Sequence, residues 1–264
     1  NMCRNFGGVC VKNKKDEMLG RKFLTNKSGE CTVVEYINAK NVLVEFKHPP
    51  YIAKCSTSDL KRGEVKNPLY PSFYGRGFVG VGEYSFKDKA VFSVWNSMIL
   101  RTCDKKFKEF RDSYKHVEVC KEWLNFQNFA AWCYDQKFFK CKDDNGFSYC
   151  LDKDILIKGS KVYSPETCSF VPQDINKILC SRRKLRGEFP VGVSFHKQLG
   201  KFKAAINHYG KSKHLGVYKT PEQAFNAYKA AKESHIKFMA NSWKDRIDDK
   251  VYQVLINYEV EITD

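Results

Sequence analysis

The stretch YCLDKDILIKGSKVYSPETCSFVPQDINKILC, residues 149–180, decides the fold of the middle of the chain. A short β-prone run opens it, and a loop around Gly159 and Ser160 follows. A second short run then leads into residues 173–179, whose composition suits a short helix. The stretch therefore predicts a strand, a loop, a second strand and a helix in succession.

Three features of this stretch carry a resemblance to a known family: LDKD at residues 151–154, YSPETC at residues 163–168, and the helix asparagine Asn176. They resemble the ββα-metal unit of HNH endonucleases, in the phage branch that is similar to homing endonucleases. The run CKEW at residues 120–123 is similar to the start of the helix that accompanies this unit. The resemblance covers residues 72–180.

The resemblance implies a divalent metal ion, Mg²⁺ or Mn²⁺, and hydrolysis of a phosphodiester. One ion must touch the scissile phosphate, so an acidic group from the strand and an amide from the helix converge on it. By resemblance the ligands are Asp152 and Asn176, and Asp154 is a second catalytic carboxylate candidate. Thr167 stands where the family has an asparagine that orients the catalytic base.

The position of the catalytic base leaves two readings open. The family usually has a histidine beside the first carboxylate, but here the neighbours are Cys150 and Lys153, and the nearest histidine in sequence is His116. The unit is therefore either a working metal-dependent nuclease or a unit that keeps the fold without the chemistry. Without the surrounding pattern, Asp152 and Asp154 would be read as solvated turn carboxylates.

A second recognisable pattern lies at residues 185–240. Three short β-prone runs with glycine turns precede Thr220-Pro221-Glu222-Gln223, a capping box with proline at the first helical position. The pattern closely resembles the DNA-binding domain of plant ethylene-response factors, whose sheet lies in the major groove, and which also occurs attached to HNH units in phages. The resemblance implies DNA-facing residues at Phe195, His196, Lys197, Lys201, Lys203, Lys211, Lys213 and His214.

Two departures from the plant domains affect base reading. Val191 and Ser194 stand where those domains have arginines near the first strand. Lysine positions a phosphate backbone well but reads bases less sharply than a bidentate arginine. The four basic residues before the module, Arg182, Arg183, Lys184 and Arg186, read as a linker that follows the DNA backbone, or else as a plain hinge.

The N-terminal part has a β pattern. Residues 31–36 and 42–46 are β-branched and aromatic runs separated by a plausible turn at residues 38–41, which predicts a hairpin in a small barrel or curved sheet. A Pro- and Gly-rich linker follows at residues 66–77. We expect this module to supply further DNA contacts or to bind a protein partner.

Two apolar stripes follow at helical spacing. The first has Val91, Trp95, Met98 and Ile99; the second, within residues 119–134, has Trp123, Phe126, Ala130 and Cys133. Each could be a platform for stacked bases, but the apolar face of a helix must be buried, so we expect both to be core.

Charge points to a polyanionic partner. The 264 residues carry a formal net charge of +16, and residues 181–240 alone have 13 basic and 3 acidic residues. Such a concentration predicts double-stranded DNA as the partner, gripped first near the C-terminus. The longest apolar runs are only a few residues, which argues against a membrane-spanning helix.

The organisation that follows is an α+β multidomain protein. We expect a small β-barrel-like module at residues 1–66, an HNH-like ββα-metal domain at 67–180, a three-stranded sheet with a helix at 181–240, and a helical tail at 241–264. The tail would carry Val251, Leu255 and Tyr258 on a helix packed within the chain or on a partner.

Eleven cysteines, an odd number without Cys-x-x-Cys spacing, predict free thiols in a reducing cytoplasm, here that of the bacterial host of a phage. A zinc cluster of Cys133, Cys141, Cys150 and His116 stays an alternative.

The leading hypothesis is a phage-encoded endonuclease or nickase that acts on double-stranded DNA. The alternative is a catalytically degenerate DNA-binding protein of the same fold, such as a repressor or a host-defence antagonist.

Overall fold

Short helices and small antiparallel sheets alternate along the chain. The computed structural model describes residues 14–179, 188–208, 211–262 and 264, and in this part the fold is mixed α+β, with eight α-helices. The chain divides into two units: Asn1–Lys115 with Val119–Ala131, and His116–Glu118 with Trp132–Asp264. The predicted α+β class is confirmed at this level.

The first unit begins with a four-stranded antiparallel sheet in the order β1-β2-β3-β4. The predicted hairpin is confirmed, since Cys31 pairs with Phe46 and Val33 with Val44. The strands are β1 (Lys22–Thr25), β2 (Gly29–Asn38), β3 (Asn41–Lys47) and β4 (Pro50–Cys55).

This sheet is open within the described residues, where the sequence predicted a barrel-like closure. β1 and β4 are its two edges. Alternate side chains point to opposite faces of a strand, and the inner face is covered by Met18 of α1 (Lys14–Met18) and Leu60 of α2 (Thr57–Arg62). These helices bury the apolar face that closure would otherwise have to bury.

Both aromatic stripes are core, as predicted. On α3 (Lys89–Cys103), Val91, Trp95 and Ile99 are 0% exposed. The indole N–H of Trp95 donates to the backbone carbonyl of Trp123 at 2.8 Å. A short helix, α4 (Lys105–Phe110), follows α3.

The helix predicted within residues 119–134 is shorter than expected. Trp123 lies in a single 3₁₀ turn, and α5 (Phe126–Asp135) begins only after Asn125. Asn125 has an extended backbone and its side-chain oxygen accepts the N–H of Gln127 at 3.0 Å. This contact is typical of a residue that starts a helix and ends the preceding turn.

The second unit contains the predicted strand–loop–strand–helix succession. β6 (Cys150–Asp152) pairs antiparallel with β8 (Ser169–Val171), and α6 (Gln173–Leu179) follows directly. The second predicted strand is two separate strands in the structure: β7 (Val162–Tyr163) comes first, and a turn separates it from β8. Glu118, in β5 (Glu118–Val119), donates its backbone N–H to the carbonyl of Lys161 ahead of β7 at 2.7 Å.

The C-terminal sheet has the order β11-β10-β9 and packs on α7 (Pro221–Ser242). As predicted, the hydroxyl of Thr220 caps this helix by accepting the N–H of Gln223 at 3.3 Å. Gly192 approaches the ring of Tyr228 so closely that a Cβ there would lie 2.0 Å from it. The strands are β9 (Val193–His196), β10 (Lys201–His208) and β11 (Lys211–Tyr218).

The tail packs within the chain. α8 (Asp249–Ile256) contacts α7, with Val251 and Leu255 0% exposed, while Tyr258 lies beyond the helix end. In the described residues, no helix is long and apolar enough to cross a membrane.

Candidate functional site

Asp152 lies at the end of β6, where its side chain organises the following loop. One carboxylate oxygen, Oδ1, accepts the backbone N–H groups of Asp154 at 2.8 Å and Ile155 at 2.7 Å. Burial raises the pKa of Asp152 above its ordinary value, and the two N–H donors offset only part of this effect. The carboxylate is therefore a turn-forming group, as in the plainer sequence reading, but in a partly desolvated position.

Asn176 lies on α6 and contacts β6. Its side-chain nitrogen is 3.2 Å from Sγ of Cys150, which in turn lies 3.4 Å from the carbonyl oxygen of Val171 on the paired strand. The structure thus brings Asn176 to the strand that carries Asp152, through a contact with Cys150 that sequence reasoning did not identify. Nothing in the spacing of these two residues indicated it.

The residues beside Asp152 close the loop after β6. The Lys153 ammonium donates to the carboxylate of Asp154 and, at 2.7 Å, to the carbonyl of Ser160. The Lys153 side chain is 10% exposed and that of Asp154 54% exposed. Asp154 is therefore the counterion of a buried lysine, a role that the sequence did not suggest.

Thr167 holds the turn between β7 and β8. Its hydroxyl donates to the carbonyl of Val162 at 2.7 Å and accepts the N–H of Ser164 at 3.1 Å. Next to it, burial raises the pKa of the Cys168 thiol to about 12, with a smaller contribution from the negative charge of Asp152. Cys168 is therefore a neutral thiol at physiological pH.

The donor chemistry of Asp152 and Asn176 fits a hard divalent cation. Mg²⁺ is usually held by one or two carboxylates together with water and substrate phosphate oxygens, and amide oxygens are also suitable ligands. A cation bound there would favour the charged form of Asp152 and so oppose the burial that raises its pKa. Asp154, paired with Lys153, is less available for such a role.

The zinc alternative is not supported by the described side chains. Among them, no three His, Cys, Asp or Glu residues come together as a group that could hold a metal ion, and this includes His116, Cys133, Cys141 and Cys150. No cysteine in the described ranges forms a disulfide.

The C-terminal sheet has one face turned away from α7, called here the outer face. On β10, Ala204 and Ile206 are buried on the opposite, helix-packed face, so Lys201 and Lys203 point outward. Directly paired residues share a face, which adds His196 opposite Lys201 and Ser194 opposite Lys203. Ala205 alternates to the outer face as well, and a bulge at Leu215 of β11 places His214 opposite it.

The remaining residues that the resemblance assigned to DNA lie elsewhere. Phe195 pairs with Phe202 on the helix-packed side, and their ring centroids are 5.2 Å apart. On β11, Lys213 pairs with the buried Ile206, and Lys211 pairs with His208. By this register both lysines lie on the helix-packed side of the sheet, although both are exposed. Lys197 is exposed in the turn after β9.

The basic linker falls outside the described residues, and this applies to Arg182, Arg183, Lys184 and Arg186.

Contacts within the second unit join the ββα segment to α7 and the tail. Lys232 of α7 donates to the carbonyl of Ile178 on α6 at 2.6 Å. Lys158, in the loop after β6, lies 2.8 Å from the carboxylate of Asp264, and Lys229 of α7 donates to the carbonyl of Val260 at 2.8 Å. These residues are far apart in sequence, and no motif indicated the contacts.

No protein-family model, no curated protein and no solved structure matches the chain.

Proposed function

We propose that the protein binds double-stranded DNA through the outer face of the C-terminal sheet. The observation that supports this is the strand register, which gathers Lys201, Lys203, His196 and Ser194 on one face. Lysines on a shared face complement the closely spaced phosphates of a duplex. The major groove admits a two-stranded β-ribbon, and β10 with β9, which carry these residues, form such a pair.

The side chains of this face favour backbone binding over base reading. Residues 188–240 contain no arginine, the residue whose planar fork reads guanine most sharply. Lysine acts on phosphate as a point charge. We therefore expect affinity that depends strongly on salt and only weakly on base sequence.

Two double variants with equal loss of charge test the outer face. Lys201→Ala/Lys203→Ala removes two lysines of the outer face. Lys211→Ala/Lys213→Ala removes two lysines whose pairing assigns them to the helix-packed face. With each phosphate contact contributing about 0.9 to the slope of log K against log salt, the first variant should lower the slope by about 2. An equal reduction in both variants, or none in the first, would contradict the assignment of the face.

A second candidate function is metal-dependent cleavage of the bound duplex, as the resemblance to phage HNH endonucleases implies. The observation that favours it is the succession β6, β8 and α6, with Asp152 at the strand end and Asn176 in contact with that strand. Asp152 would hold Mg²⁺ or Mn²⁺ through its carboxylate and Asn176 through its amide oxygen. The ion would supply Lewis-acid activation of the phosphate and of a water.

The roles of the neighbouring residues in this candidate are positional. Lys153 and Thr167 hold the two loops that flank β6 and β8. On this proposal residues 67–180 are the HNH-like domain, residues 181–240 the ethylene-response-factor-type domain and residues 241–264 the tail, and the protein acts in the cytoplasm of a bacterial host. A protein-binding role for the N-terminal sheet stays a prediction.

Relaxation of supercoiled plasmid in Mg²⁺ or Mn²⁺ tests the second candidate. Wild type should nick, Asp152→Ala and Asn176→Ala should not, and Asp174→Ala, which removes a carboxylate elsewhere on α6, should nick as wild type does. No relaxation by wild type, with duplex binding intact, would favour the non-catalytic alternative, a repressor or host-defence antagonist. Equal nicking by wild type and Asp152→Ala would remove Asp152 from the site.

A further inference from the structure

We propose that the first unit carries a separate site for single-stranded nucleic acid around Phe110. The site consists of Lys105, Lys106, Lys108, Phe110 and Arg111 and is called here the basic–aromatic patch. It lies at α4 and the residue that follows it. It goes beyond the duplex-binding face proposed above and shares no residue with it.

The side chain of Phe110 is the most exposed of the large apolar side chains in the described residues, at 81%. α4 buries none of its residues. Its other phenylalanine, Phe107, packs edge-to-face on Tyr114 with ring centroids 5.6 Å apart. One aromatic ring of the helix is thus used internally, and the other presents its surface to solvent.

A guanidinium lies beside this exposed ring. Cζ of Arg111 is 5.3 Å from the ring centroid of Phe110. An aromatic ring combined with an arginine can stack a nucleobase and contact its phosphate, which is how many proteins hold single strands.

The basic side chains of the patch also outnumber the one acidic side chain among them. Residues 105–111, KKFKEFR, contain four basic residues and one acidic residue. Within the described part of the chain, Lys105, Lys106, Lys108 and Arg111 make no ion pair. The nearby carboxylate of Asp104 instead caps α4 by accepting the N–H of Phe107 at 2.6 Å. Four basic residues and one acidic residue give residues 105–111 a net charge of +3, and a positive surface around an exposed ring complements a polyanion that has accessible bases.

A single strand fits this chemistry better than a duplex does. In a duplex the base faces are stacked on one another, so the lysines could bind phosphate but Phe110 would stay in solvent. In a single strand every base offers a face for stacking, and the binding tolerates changes of sequence.

The experiment uses the full chain carrying Lys201→Glu/Lys203→Glu, which suppresses the outer face of the C-terminal sheet. Fluorescence anisotropy measures the affinity for a labelled oligothymidylate. In this background Phe110→Ala should weaken binding roughly fivefold to a hundredfold, the range for loss of one stacked base, whereas Phe110→Trp should preserve it. Phe86→Ala, which truncates another exposed phenylalanine of the same unit, is the matched control.

The outcomes separate this proposal from the duplex proposal. Duplex binding by otherwise wild-type protein carrying Phe110→Ala should be unchanged. Lys105→Ala/Lys106→Ala should weaken oligothymidylate binding and reduce its salt dependence. Affinities within twofold for Phe110→Ala and the control would overturn the proposal. So would loss of binding to vesicles of anionic lipid in Phe110→Ala with unchanged oligothymidylate binding, since the patch would then be a membrane contact.

Discussion

The side-chain nitrogen of Asn176 lies 3.2 Å from the sulfur of Cys150, and this contact joins α6 to β6. It connects the helix to the strand that ends at Asp152, the residue whose carboxylate forms the following turn. The thiol of Cys150, which is not itself a candidate ligand, therefore holds Asn176 against the strand that carries Asp152.

A double-mutant cycle on this pair tests whether the contact stabilises the fold. Cys150→Ala and Asn176→Ala should each lower the free energy of unfolding. Because a single hydrogen bond contributes about 0.5–1.5 kcal/mol net, we expect a coupling energy of similar size. Urea denaturation of the two single variants and the double variant measures it. Strict additivity would show that the amide and the thiol do not stabilise each other.

The raised pKa of Asp152 predicts that Asp152→Asn, its neutral isostere, stabilises the folded protein by an amount that depends on pH. Since burial raises this pKa in the folded state, the protein favours the protonated form, and charging Asp152 above its folded pKa costs stability. Asp152→Asn, which retains an oxygen for the N–H groups of Asp154 and Ile155, should therefore be more stable than wild type at pH 7. The difference should shrink as the pH falls through the raised pKa of the folded state, and it should be largely gone below the ordinary aspartate value of 3.8.

Thermal denaturation from pH 3.5 to 7 measures this difference. A variant less stable than wild type at pH 7 would contradict the desolvation argument. Added Mg²⁺ should stabilise wild type but not Asp152→Asn if Asp152 holds the ion, because a ligand that binds only the folded state raises its stability.

Gly192 should tolerate no side chain, whereas Gly200 should. Both have positive φ, 75° and 59°, so alanine has an unfavourable backbone conformation at either position. A Cβ at Gly192 would lie 2.0 Å from the Tyr228 ring, while nothing lies within 4 Å of one at Gly200. We expect Gly200→Ala to cost about 1 kcal/mol and Gly192→Ala clearly more. Chemical denaturation compares the free energies of unfolding of the two variants. Equal losses of stability would mean that α7, which carries Tyr228, moves away freely.

The core of the first unit depends on Trp95. Its side chain is fully buried and its indole N–H donates to the carbonyl of Trp123. Trp95→Ala should therefore destabilise the protein by about 3–5 kcal/mol, the usual loss for a buried tryptophan. Phe86→Ala removes an aromatic ring that is 46% exposed and should cost far less. Calorimetry of both variants checks the comparison, and similar melting temperatures would contradict it.

Local patterns in the sequence predicted the elements that rest on neighbouring residues. The hairpin around residues 38–41, the N-terminal cap of α7 and the buried stripe of α3 follow from turn chemistry, capping and helical period. The start of α5 was placed too early, because the apolar period continues through Trp123 while Asn125 interrupts the helix. The barrel-like closure of the N-terminal sheet was also not found in the described residues, because closure depends on long-range pairing of its edges.

By itself, the sequence determined where positive charge is concentrated, that an N-terminal hairpin and a capped C-terminal helix form, and that Lys201 and Lys203 alternate with apolar neighbours along one strand. Only the tertiary structure decided which residues share a face or a partner. It assigned Lys203 and Lys213 to opposite faces of the C-terminal sheet, placed Asn176 against Cys150, and paired Asp154 with Lys153. The physical reason is that period and composition act within a few residues, whereas register, bulges and side-chain contacts arise only when distant segments pack together.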